Sequence, residues 1–162
     1  MPLKNHNILI LCTGNSARSI IGEALVSAMP GFKGYSAGSS PRGEPHPLAL
    51  SVLEAKGHDT SGLSSKSWDV FAAEDAPKMD VIITVCDNAA GESCPYWPGH
   101  PVQVHWGLAD PVDVEEMSRQ RIAFEDTYFS LKKRLQRLAA LDFDAFSPEE
   151  LKAELQAIHT RR

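Results

Sequence analysis

Two short apolar runs, ILILC (residues 8–12) and DVIITVC (residues 80–86), constrain this chain more than any other feature. Each is aliphatic, rich in β-branched residues and too short for a buried helix. After its first residue neither alternates apolar with polar. A strand that is apolar on both faces must be covered on both, as in a parallel sheet with helices above and below. The remaining patterns agree. Strands are predicted over 7–12, 33–37, 80–86 and 102–106, and helices over 19–29, 47–56, 68–73, 118–141 and 148–159. Pro30-Gly31 stops the first helix, Pro47 suits a first turn, and Gly57 follows the second helix. On the long helix, Ile122, Tyr128, Phe129, Leu131, Leu135 and Leu138 are expected on the apolar side. Strands alternating with helices predict an α/β fold: a four-stranded parallel sheet with helices on both faces.

The 162 residues fit a single domain, residues 1–162, with residues 142–162 as a C-terminal helical extension. The net charge of −5 argues against a nucleic-acid partner. No apolar run approaches a membrane span, and the first run is too short for a signal-peptide core. The expected location is therefore the cytoplasm, with no membrane partner. There are three cysteines, Cys12, Cys86 and Cys94; an odd count in a reducing compartment argues against a static disulfide framework.

In parallel α/β sheets, ligands gather beyond the carboxyl ends of the strands. Cys12 ends the first strand, Cys86 ends the third, and Asp110 follows the fourth by four residues. Between Cys12 and Arg18 stand Thr13, Gly14, Asn15, Ser16 and Ala17, none of them bulky. Such a loop can curl so that its N–H groups converge on an anion, with the start of the following helix adding positive potential. Gly14 and Asn15 tolerate the left-handed angles that a tight curl demands. Arg18 brings a planar fork suited to two oxygens of a tetrahedral oxyanion, and the same field favours a nucleophilic Cys12 thiolate. Ser19 is placed to donate a hydrogen bond to that sulfur. The spacing alone also fits a structural cysteine beside a helix-start arginine; the small residues and the strand–loop–helix setting favour catalysis. The glycine-lysine-serine or -threonine ending of a nucleotide-binding loop is missing.

Cys86 and Cys94 flank DNAAGES. Three readings fit: a metal site completed by His100 and His105, inert core residues, or a thiol relay. The paired short spacings of zinc sites are missing, so no metal is expected. Cys86, ending an apolar strand, fits the core reading better than Cys94 beside Pro95.

CTGNSARS (12–19), YSAGS (35–39), IITVCDNAAGESCP (82–95) and HWGLADP (105–111) together resemble arsenate reductases built on the low-molecular-weight protein tyrosine phosphatase fold. The resemblance covers residues 7–140. It implies a phosphatase-like sheet plus the extra C-terminal helix, and an enzyme of arsenic resistance that reduces arsenate to arsenite. It further implies that Cys12 attacks arsenate, that Cys86 attacks the Cys12 sulfur as arsenite leaves, and that Cys94 carries the resulting redox-active disulfide outward. The 86–94 segment must then fold back, because disulfide-bonded α-carbons lie about 4.4–6.8 Å apart. That loop is expected to move on oxidation. Asp110, before Pro111, takes the general-acid position. No cofactor is bound; the reductant is an external thiol, thioredoxin or glutathione with glutaredoxin. The Cys86–Cys94 spacing is one residue longer than is usual in thioredoxin-coupled relatives.

Relatives with a potassium site use residues matched here by Asn15, Glu23 and Ser36, while the aspartate position falls at Lys66, whose ammonium can stand in for the ion. No potassium dependence is therefore expected. The alternative activity is that of a phosphatase working through a Cys12 phosphoenzyme. Val112, Asp113 and Val114 stand where such phosphatases commonly carry tyrosine, which favours the reductase, with at most weak phosphatase activity. His6, His46, His58 and His159 are expected at the surface or in loops, with His105 and Trp106 packing the strand end.

Overall fold

Alternate residues of the first strand feed different cores. Ile8 and Ile10 point into one, Leu9 and Leu11 into the other, and all four are fully buried. The computed structural model describes residues 6–85, 97 and 101–160. It contains four strands, β1 (His6–Cys12), β2 (Phe32–Gly38), β3 (Val81–Thr84) and β4 (Val102–His105). They form one sheet in the order β2-β1-β3-β4, and every pairing is parallel. β3 begins after Asp80, whose carboxylate accepts from Asn7 N–H at 2.8 Å and whose own N–H donates to Asn7 O at 2.8 Å, clasping the start of β1.

Five α-helices are described: α1 (Arg18–Ser27), α2 (Pro47–Ala55), α3 (Asp69–Ala72), α4 (Met117–Ala139) and α5 (Pro148–Thr160). The faces are unequal. The larger core joins Ile8, Ile10, Ile83 and Val104 to the buried sides of α1, α2, α4 and α5. On the other face α3 contributes Phe71, which packs with Leu9, Leu11, Ile82 and Trp97. Each large aliphatic side chain so buried contributes about 1.5–3 kcal/mol.

On α4 the buried stripe is Phe124, Thr127, Tyr128, Leu131, Leu135 and Leu138. Ile122 and Phe129, expected on that side, are 59% and 50% exposed. Phe129 sits about 100° around the helix from Tyr128, where it meets the edge of the Tyr128 ring and the Lys56 ammonium instead of the core.

The last helix closes the sheet. Gln156 Oε1 accepts from His105 N–H at 3.1 Å, and Gln156 Nε2 donates to His105 O at 2.8 Å. One side-chain amide thus occupies both backbone groups of an edge-strand residue, where another strand would otherwise pair. Trp106 Nε1 donates to Leu155 O at 2.9 Å beside it.

Candidate active site

The strand order makes the carboxyl end of β1 a switch point, since the chain passes to β2 on one side and β3 on the other. The loop 13–17 starts there. Its carbonyls are held from outside: Ser40 N–H donates to Thr13 O at 2.9 Å, Arg42 N–H to Gly14 O at 3.0 Å, and His46 N–H to Ser16 O at 2.8 Å. Because the peptide unit is planar and trans, the N–H groups of Gly14, Asn15 and Ala17 point the opposite way, toward the loop's interior. α1 begins with no side-chain cap and no acidic residue in its first turn, so its positive end also faces this loop.

Asn15 has φ of 45°, the left-handed angle the curl requires. It is held there on both sides, Nδ2 donating to Ser19 Oγ at 2.8 Å and Oδ1 accepting from Lys66 N–H at 2.8 Å. Gly14, expected to share that role, is not in the left-handed region. A Cβ on it would instead lie 3.0 Å from Arg42 Nε. Gly38, paired with Cys12, is needed for closeness as well: a Cβ there would stand 2.4 Å from Thr13 O.

Cys12 and Arg18 are both buried, 5% and 7% exposed. Arg18 Nη1 donates to Leu108 O at 2.7 Å, and Nη2 lies 3.3 Å from Asp110 Oδ2. Its Nε–H is buried with no acceptor among the described residues. An unmet buried donor is costly, and an oxyanion oxygen is the partner it suits. Asp110 divides its oxygens, Oδ1 capping Val112 N–H at 3.0 Å while Oδ2 faces Arg18.

Cys12, Arg18 and Asp110 line one cavity of about 630 Å³ together with Thr13, Gly14, Ser16 and Ala17. Asn15 and Ser19 lie behind the loop, fully buried. Cys86, Cys94 and the loop expected to move between them lie outside the described residues. Val85, one residue before Cys86, donates its N–H to Leu11 O at 2.9 Å.

Beneath the loop, Lys66 Nζ donates to Ser36 O at 3.0 Å and to Ser64 O at 2.6 Å, and stands 3.8 Å from Glu23 Oε1. Burial raises the Glu23 carboxyl above its usual range despite the opposing pull of Ser36 and Lys66. Burial likewise lowers the Lys66 ammonium, against Glu23.

Ser40 and Arg42 are among the cavity residues that the sequence reading did not assign to the site. The available signal was that GSSPRGEP follows β2, whose end pairs with Cys12, so a basic residue there belongs to the same sheet edge. His46 and His58 lie in loops, as expected, and are partly buried. His46 Nδ1 caps α2 through Leu48 N–H and its ring stacks on Phe124, while His58 Nε2 meets Tyr128 Oη at 2.7 Å. Both imidazoles are lowered, first by burial, then by Arg42 for His46 and by Lys132 for His58.

The model of the low molecular weight phosphotyrosine protein phosphatase family matches residues 7–157. The chain belongs to this family. The match runs beyond residue 140 and takes in most of α5, which is therefore inside the family's span. An arsenate reductase of Bacillus subtilis is 33% identical over 124 residues, covering 75% of this chain and 86% of that protein. Among solved structures, an arsenate reductase in a phosphate-binding state superposes with a TM-score of 0.67 at 26% identity, covering 83% of this chain and 97% of that one. A thioredoxin-dependent arsenate reductase of Corynebacterium glutamicum gives a TM-score of 0.58 at 25% identity, covering 84% of this chain and 63% of that one.

Proposed function

We propose that the protein reduces arsenate to arsenite, with Cys12 as nucleophile. The observation that carries this is the unmet Arg18 Nε–H beside Cys12 and opposite Asp110, in a chain a third identical to named arsenate reductases. The inward N–H groups and Arg18 hold the oxyanion. The Cys12 thiolate forms a bond to arsenic(V), and Asp110 protonates the oxygen that leaves as water. The Ser19 hydroxyl, whose oxygen already accepts from Asn15, donates to the sulfur.

The relay completes the electron balance. The Cys86 thiolate attacks the Cys12 sulfur, the sulfur–arsenic pair passes to arsenic, and arsenite departs as arsenic(III), leaving a Cys12–Cys86 disulfide. Cys94 then attacks Cys86 and frees Cys12. An external thiol, thioredoxin or glutathione with glutaredoxin, reduces the Cys86–Cys94 disulfide. The named dependence of the Corynebacterium glutamicum protein supports a thiol donor of this class.

The potassium site of some relatives does not suit these residues. Asn15 Oδ1 is engaged by Lys66 N–H, Ser36 O by Lys66 Nζ, and Glu23 by Ser36 and Lys66. The ammonium takes the cation's place, and activity is independent of potassium. No aromatic side chain is among the described residues that line the cavity, which leaves a phosphotyrosine ring without a wall. Among the described residues no helix is long and apolar enough to cross a membrane; we retain the cytoplasm as the working location.

The test is arsenite release by purified protein supplied in turn with thioredoxin and with glutathione plus glutaredoxin, for wild type and Cys86→Ser. Catalytic arsenite with one donor, lost in Cys86→Ser, is expected. No arsenite with either donor rejects the reductase reading. Full activity in Cys86→Ser keeps the reductase and rejects the relay.

A further inference from the structure

Arg42 is the exposed cation of the cavity. Its backbone N–H is tied to Gly14 O at 3.0 Å, and its side chain lies across Gly14 so closely that an added Cβ would have Arg42 Nε, Cγ and Cδ as its three nearest neighbours, at 3.0–3.4 Å. Glycine at position 14 is thus explained by room for this side chain, since its backbone needs no left-handed angle. No carboxylate pairs with Arg42 among the described residues.

The charge balance calls for such a group. A phosphate-like oxyanion carries about 1.5 to 2 negative charges at neutral pH. Arg18 supplies one cation, but Asp110 stands 3.3 Å from it and offsets much of its field, and Asp113 adds another carboxylate to the lining. Burial and the Arg42 charge both favour neutral His46, so the imidazole beside the loop does not make up the deficit.

We propose that Arg42 is the second cation of the oxyanion site, a specificity-determining residue whose guanidinium, lying over Gly14, meets the outer oxygens of the bound anion and selects the dianion. It makes and breaks no bond. The inference rests on the oxyanion reading of the cavity, and not on the identity of the electron donor.

Inorganic phosphate, titrated calorimetrically into reduced protein, tests it without turnover. Arg42→Gln is expected to weaken phosphate binding and raise the arsenate KM by about five- to tenfold at low ionic strength, with kcat within about twofold. The difference shrinks as sodium chloride is added, and Arg42→Lys recovers most of it because charge, more than shape, is used. Gly14→Ala, by displacing the guanidinium, weakens phosphate binding in the wild type and adds little in the Arg42→Gln background. Phosphate binding by Arg42→Gln equal to wild type, or a lower kcat at unchanged KM, overturns the role of Arg42. A wild type that binds no phosphate overturns the oxyanion reading itself, and the two failures are told apart by that control.

Discussion

Arg18 Nη2 and Asp110 Oδ2 stand 3.3 Å apart, so the carboxylate competes with any anion for the guanidinium; in the proposed reaction its protonated form gives the leaving oxygen its proton. Removing its charge separates the two effects. Asp110→Asn is expected to tighten phosphate binding by about three- to tenfold and to lower turnover by about a hundredfold. Weaker phosphate binding in that variant would show that the carboxylate organises Arg18 more than it opposes the anion. Lys66 carries a second residue-scale prediction. Its ammonium bonds to two carbonyls and flanks the partly buried Glu23 carboxylate. Lys66→Met is expected to cost about 1–2 kcal/mol in chemical denaturation, a figure held down because the side chain is partly exposed. In the wild type, exchanging sodium for potassium is expected to leave kcat/KM unchanged; potassium activation there would reject the ammonium's role. Cys12 was legible as a reactive type at a strand end, Arg18 from its spacing to Cys12 at the start of a helix, and Asp110 from the family resemblance. Arg42 was not, because nothing in GSSPRGEP says that its side chain turns back over Gly14.

At the scale of elements, α5 shows how a helix can finish a sheet. Gln156 meets both backbone groups of His105, and Leu151, Leu155 and Ile158 join the larger core. Gln156→Ala leaves those edge groups without their side-chain partners and is expected to cost about 1–3 kcal/mol, read as a shift in the urea midpoint at constant slope. Gln156→Glu retains an acceptor for His105 N–H but places a second acceptor against His105 O, so it should not rescue. A midpoint unchanged in Gln156→Ala would mean that the apolar face of α5 alone holds β4. The helix's existence was plain from its periodicity; its purpose was not. Likewise the length of α4 was read correctly, whereas Ile122 and Phe129 were assigned to the wrong side because apolar type alone does not fix which third of a helix meets a core.

For the whole molecule, stability depends on pH through groups whose ionisation folding opposes. His46 and His58 are lowered in the folded state, so their contribution is complete above imidazole's usual value, about 6.5, and is lost as pH falls through their lower folded values. Glu23 is raised, so its contribution has the opposite sense: present in acid and lost as pH rises through its folded value. Thermal melts from pH 7.5 down to about 4.3, the usual glutamate value, separate them. His58→Gln should lose less stability on acidification than the wild type, and Glu23→Gln should lose more. Identical pH slopes in all three proteins would contradict the assignment.

The sequence by itself determined the parallel α/β architecture, the strand–loop–helix that carries Cys12 and Arg18, and the family, because these depend on periodicity and on residues close along the chain. Tertiary structure decided what surrounds them. Lys66 N–H reaches Asn15 across 51 positions, and Gln156 reaches His105 across the same separation. Arg42 enters the cavity only because β2 ends beside Cys12 with a glycine where a side chain would collide. Local chemistry writes the elements and the reactive groups into the chain; the charges and clasps that tune them arise from contacts between distant segments, which no short stretch of sequence encodes.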